Sequence, residues 1–236
     1  MDKVLRFSDY DVFAYIASGL AALLLCDLLL STHIVVSAQW SVAEGVVIIF
    51  AAYVIGHVVA WPASWLIERQ FVARLLGPPS KVLFVERKQH AALARFLFPD
   101  YFTPLDHALR QRVKARAPDL ADHSGQSFFW SAFACARRDP STYARMDAFL
   151  KLYGFCRNMA FVALFGGVTL LIAALGAAWQ GARYLAETRL GWAVVALLIG
   201  VAMLYRFLKF YRLYSVEVFV GYDELAAAQG DSHHAH

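Results

Sequence analysis

Residues 23–33 read LLLCDLLLSTH, which places an aspartate, Asp27, inside a run of leucines. In a bilayer such a residue is costly, and its default reading is a functional one. The leucines around it belong to an apolar window, Val12–Val36. A hydrocarbon core about 30 Å thick needs about 20 helical residues, and the window supplies them. Three more such windows follow: Ala43–Leu66, Met159–Trp179 and Leu190–Leu208. An aspartate at mid-span costs about 3 kcal/mol to insert, while Leu, Ile, Val and Phe each return roughly 0.3–0.6 kcal/mol. Thirteen such residues lie in the first window. The helix therefore inserts without a partner for Asp27, provided the carboxyl faces protein or water.

Composition agrees with a membrane protein. Of 236 residues, 60% are apolar and 17% charged, whereas soluble domains run near half and a quarter. The segment ahead of the first window, MDKVLRFSDYD, carries three aspartates. That is a poor signal-peptide start, and no small-residue cleavage site follows, so the window reads as a retained span.

Charge sets the expected orientation. Fifteen of the 22 Lys and Arg residues fall in the block 67–157, and none falls between the first two windows. The positive-inside rule then puts the block and both termini in the cytoplasm of a multi-pass protein in a bacterial inner membrane. Cys26, Cys135 and Cys156 are odd in number and lack paired spacing, which points to reduced thiols.

The fold expected is all-α, with four transmembrane helices in two hairpins and a helical cytoplasmic domain between them. Residues 1–66 form the N-terminal segment and first hairpin, 67–156 the cytoplasmic domain, and 157–210 the second hairpin. Residues 211–236 form an amphipathic or disordered tail. Within the cytoplasmic block Gly77-Pro78-Pro79 stops the helix that leaves the second span. A helix is expected over about Val85–Phe98. Another starts at Thr103-Pro104-Leu105-Asp106, with Leu105, Leu109 and Val113 on one face. An aromatic helix follows from Ser127, and Asp139-Pro140 opens one that runs unbroken into the third span. The tail cations Arg206, Lys209 and Arg212 read as snorkelling to headgroups.

Two sets of candidate site residues emerge. Antiparallel pairing about a turn near Gln39 brings Asp27 level with Ala52 and Tyr53, one turn from His57. His33 and Glu44 then lie at the outer mouth. These five residues read either as a proton or ion pathway or as a neutral Asp27–Tyr53 hydrogen bond that fixes helix register. The second set is Arg110, Arg112, Arg116, Arg137 and Arg138, with Phe128, Phe129 and Trp130 for stacking. It suits a cytoplasmic anionic ligand such as a nucleotide. Topological charge beside anionic lipid explains the same arginines. Small residues mark helix contacts: Ala14, Ser18, Ala22 and Cys26, then Gly56 and Ala60, Ala163 and Gly167, Ala196 and Gly200. The C-terminal HHAH reads as a polar tail, so no metal or cofactor is expected. The chain contains no GxSxG, HExxH, Walker or GxGxxG motif, and a non-enzymatic role is expected.

Two spanning pairs, 12–66 and 159–208, flank the basic block 67–157. In this the chain resembles small bacterial four-span membrane subunits of anti-phage defence systems of the Hailong and Kiwa types. The resemblance is one of architecture and carries over no site residue. It implies a homo-oligomer whose cytoplasmic domain controls an ion-conducting pore or membrane integrity. A small proton-linked transporter using Asp27 and His57, and a membrane scaffold for a cytoplasmic protein partner, are the alternatives.

Overall fold

The computed structural model describes residues 9–32, 34–35, 40–84, 92–116 and 126–233, and every regular element in them is helical. α1 (Asp9–Leu30) and α2 (Val42–Ala63) are followed by a π-helical extension of α2 (Ser64–Leu76). Then come the short α3 (Pro79–Val82) and α4 (Ala92–Leu97), α5 (His107–Ala115), α6 (Gln126–Ala136), and the long α7 (Pro140–Trp179) and α8 (Arg183–His233).

Three stretches are long and apolar enough to cross a membrane: Val42–Val82, Pro140–Trp179 and Arg183–Ala227. The first window is cut short of Val36. Its apolar helix is Ala14–Leu30, about 25 Å long at 1.5 Å per residue and so below the hydrocarbon thickness. The chain stops there for a local reason. Ser31 takes a left-handed φ of 55°, and the Thr32 N–H reaches back to the Asp27 carbonyl at 3.3 Å. That six-to-one bond is the Schellman way of ending a helix.

The chain divides into two compact units: Met1–Gln70 with Gly154–Phe207, and Phe71–Tyr153 with Leu208–His236. In the first unit, α1 and α2 cross with their backbones touching. A Cβ on Gly19 would stand 1.7 Å from the Ala52 carbonyl oxygen, and one on Gly56 2.0 Å from that of Tyr15. Only glycine permits such an approach. This crossing sets the register. Ala52 faces Gly19, about two turns before Asp27, and not Asp27 as a turn centred on Gln39 would require. α7 and α8 meet through the small residues expected of them. Added Cβ atoms on Gly167 and Gly200 would lie 2.9 Å from Leu197 and 2.7 Å from Leu164, with Ala163 and Ala196 buried alongside. On α1, by contrast, Ser18 is buried but Cys26 is exposed.

Pro62 lies inside α2 and has no N–H to bond backwards. From Ser64 the winding widens, and the Gly77 N–H closes it on the Val72 carbonyl at 2.8 Å, five residues back. Such turns occur mostly as single bulges, often at functional sites; this one lasts 13 residues.

The second unit has its own core. Leu83, Phe84, Leu105, Val113, Phe128, Ala132, Ala136 and Met146 pack with Val218 and Phe219. The Phe128 and Phe219 rings stack at 5.5 Å, and Phe84 meets Phe219 edge-on at 4.9 Å. The stripe expected on Leu105, Leu109 and Val113 faces this core. The helix start does not fall at Thr103: Asp106 caps α5, accepting from the Ala108 and Leu109 N–H groups at 3.0 and 3.3 Å. Of the helix expected over 85–98, residues 85–91 lie outside the described residues, and the rest appears as Ala92–Leu97.

Of the tail expected over 211–236 as amphipathic or disordered, residues 211–233 are helical, with Val218 and Phe219 buried. α8 runs on through them without a break, because its aromatic residues have a core to fill. Arg212 does not snorkel; its guanidinium donates to the Thr103 carbonyl at 2.9 and 3.1 Å. Arg145 of α7 pairs with Glu217, and with Glu224 at 3.6 Å.

Candidate functional site

Asp27 is nearly buried, and its partners come from its own chain a few residues on. Oδ1 accepts from the Thr32 hydroxyl and from the Ile34 N–H at 2.9 Å. Oδ2 accepts from the Val35 N–H at 3.1 Å. Since α1 leaves its last carbonyls unpaired, the chain must turn back here, and the carboxylate gathers the turn's donors. The aspartate among leucines thus anchors the exit of α1.

Tyr53 is elsewhere and is not its partner. The Tyr53 ring meets His57 edge-on at 4.6 Å, and His57 stacks on Tyr15 at 3.9 Å with 20° between planes. The glycine crossing is the cause, because it slides α2 about two turns along α1 relative to the expected register. The proposed intramembrane set therefore separates into an Asp27 loop and a Tyr15–His57–Tyr53 ring cluster. Glu44 has a structural task. With Ser41 it forms a capping box at the start of α2: Ser41 N–H and hydroxyl each donate to Glu44 Oε2 at 2.8 Å, and the Glu44 N–H returns to Ser41 Oγ at 3.3 Å. His33 lies outside the described residues.

The basic set also separates. Arg112 and Arg116 both pair with Asp223 of α8, at 2.9 and 3.2 Å. Arg116 donates as well to the Asp223 carbonyl at 2.5 Å. These two guanidiniums hold α8 against α5 and do not form an open anion pocket. Phe128 is buried in the core and cannot stack on a ligand. What remains accessible is on α6 and just past it. Trp130 is 53% exposed and packs edge-on against Phe133, and the Arg137 guanidinium lies 5.9 Å over the Phe133 ring. Arg138 is exposed, and Arg110 is partly so.

A cluster missed in the sequence sits in the first unit. Glu68, on the π-helical extension, pairs with Arg157 of α7. Arg157 also donates from Nε and Nη2 to Asn158 Oδ1 at 3.2 and 3.1 Å. Asn158 is 3% exposed, and the side chains of the ion pair are 14% and 21% exposed. A signal was present: Glu68 is the lone acid in SWLIERQFVARLL, and Arg157-Asn158 directly precede the apolar run from Met159. Both lie at the end of an apolar segment.

Arg189, near the start of α8, is a second missed residue. It donates to the Leu29 carbonyl at 2.8 Å, the Ala173 carbonyl at 3.4 Å and the Ser31 hydroxyl at 3.5 Å. Among the described residues no group of three or more His, Cys, Asp and Glu is arranged to hold a metal. No protein-family model, curated protein or solved structure matches the chain.

Proposed function

We propose that the chain is an oligomeric membrane protein in which the helical second unit, on the cytoplasmic side, controls an ion-conducting pore or the integrity of a bacterial inner membrane, as an effector of defence. α1 serves as a fourth membrane helix, completed by its Asp27-anchored exit loop, and both termini are cytoplasmic. The observation that carries the reading is the Glu68–Arg157 pair. Its residues stand two and three positions from where the α2 extension and α7 pass from the first unit to the second, between Gln70 and Phe71 and between Tyr153 and Gly154. The backbone passes between the units at these two places and again between Phe207 and Leu208 of α8, and the ion pair ties the first two together. Breaking one partner of a poorly solvated pair is costly, up to about 3–5 kcal/mol when burial is complete, so the pair can hold a closed arrangement.

Exposed apolar surface supports the oligomeric reading. Only 11% of the most apolar window in Val42–Val82 is buried, against 33% in Pro140–Trp179 and 28% in Arg183–Ala227. Of these three stretches the one begun by α2 leaves most surface for another subunit, and one chain encloses too little space for a conduit.

The test is ion flux from liposomes holding the purified protein, with mass photometry of the same sample. Glu68→Gln and Arg157→Gln should each raise basal flux, and the exchange Glu68→Arg with Arg157→Glu should restore it. A monodisperse monomer with no flux in any variant refutes the pore and leaves the scaffold reading. Loss of flux confined to Asp27→Asn and His57→Ala selects the transporter.

A further inference from the structure

We infer that the first unit holds one anionic phospholipid of the surrounding bilayer, with an acyl chain in the groove between α1 and α7 and the phosphate on Arg189. The groove has a volume of about 230 Å³ and is lined by Ala22, Leu25 and Cys26 of α1 and by Phe165, Gly166 and Thr169 of α7, among others. α1 and α7 approach closely within this lining: a Cβ on Gly166 would stand 2.4 Å from the Leu25 side chain.

Size selects the occupant. A cavity of roughly 150 Å³ lined by apolar side chains already accepts benzene, and a flexible hydrocarbon chain matches the larger groove. The lining from Ala22 to Leu29 extends about 10 Å along α1.

Charge selects the head. Leu29 lines one end of the groove, and its carbonyl accepts from Arg189. Thr169 lines the same end on α7, one turn before Ala173, whose carbonyl also meets Arg189. The guanidinium therefore sits at the mouth. Its Nη groups donate to two carbonyls and a hydroxyl, all neutral, and among the described residues the positive charge has no ion-pair partner. A lipid phosphate supplies that partner at the depth where the acyl chain begins, and an arginine fork suits phosphate geometry.

The experiment uses the full chain, delipidated in detergent and titrated separately with phosphatidylglycerol, with diacylglycerol of the same chains and with inorganic phosphate. Binding is read by native mass spectrometry. One phosphatidylglycerol per chain should be retained at least tenfold more tightly than diacylglycerol. Cys26→Phe, which fills the groove, should weaken retention of both lipids at least tenfold. Arg189→Gln should remove the preference for phosphatidylglycerol while leaving diacylglycerol binding unchanged. Should Arg189→Gln fail to fold for want of its bonds to Leu29 and Ala173, Arg189→Lys, which keeps the charge, should retain the preference. Retention unaffected by Cys26→Phe overturns the inference. So does equal binding of the two lipids by the native chain, or full competition by inorganic phosphate at equal concentration.

Discussion

Replacing Asp27 by asparagine separates the structure from the simplest reading of the sequence. A neutral Asp27 bonded to Tyr53 makes Asp27→Asn nearly silent, since an amide replaces a carboxyl almost atom for atom. In the structure both oxygens accept: Oδ1 from Thr32 and Ile34, Oδ2 from Val35. An asparagine keeps one accepting oxygen and turns an NH2 donor toward a backbone N–H, whichever way the amide is placed. A partly buried donor left unpaired costs about 1–3 kcal/mol. Thr32 and Ile34 are exposed and Val35 half-buried, so water recovers part of the loss, and about 1.5–2 kcal/mol is expected. At 1.4 kcal/mol per factor of ten, that opens the loop about 10- to 30-fold more often. Hydrogen exchange of the protein in nanodiscs reads this directly, as faster exchange at the Ile34 and Val35 amides with α7 unchanged. Asp27→Leu, which removes every acceptor, should exceed it. Native exchange rates at both amides in Asp27→Asn would show that the carboxylate does not hold the loop.

Gly19→Val and Gly56→Val should each separate α1 from α2, because the first added atom already meets a backbone carbonyl at 1.7 or 2.0 Å. Disulfide trapping between cysteines placed on the two helices should fall severalfold. Asp223→Ala should strand Arg112 and Arg116 and loosen α8 from α5. Screening of the half-exposed Arg112 limits the loss to about 1 kcal/mol, read as faster proteolysis near the end of α8. Asp139, at the start of α7, is held down to about 2 from an ordinary 3.8, chiefly by the Ser141 hydroxyl and then by the Thr142 N–H. A depressed carboxylate stabilises the folded state above its unfolded value, and that contribution fades as pH falls through the folded one. The Thr142 amide resonance should therefore titrate near 2, and Ser141→Ala should move the midpoint upward.

Where order along the chain was enough, the sequence was readable. The stop at Gly77-Pro78-Pro79, the Asp139-Pro140 start and the small-residue contacts of α7 and α8 are local or periodic features. The α1–α2 register was not, because hairpin geometry from loop length ignores which pair of residues can approach most closely, and Gly19 decides that. Asp27 was misplaced for a related reason: a window average treats residues 31–36 as apolar, whereas the left-handed Ser31 turns the chain back there. Aromatic and cationic residues after Tyr205 match an interfacial helix as well as a buried one. Only the distant Phe84 and Phe128 show that Phe219 has a core to enter. Glu68 and Arg157 are 89 positions apart, so no spacing pattern joins them.

The shared use of α8 also imposes an order of synthesis. Residues 71–153 leave the ribosome early, yet Val218 and Phe219 fill their core and Asp223 binds Arg112 from 111 positions downstream. Until α8 has been made, that segment has a missing wall, with Phe84 and Phe128 uncovered and two arginines lacking their acid. Such an intermediate invites chaperones and is prone to aggregate. It also gives the nascent chain a built-in delay: membrane helices can enter the bilayer while the second unit stays open, and that unit closes only after the last membrane helix has been translated. A chain broken off before residue 218 would leave its apolar helices in the membrane beside a second unit that lacks Val218 and Phe219 from its core.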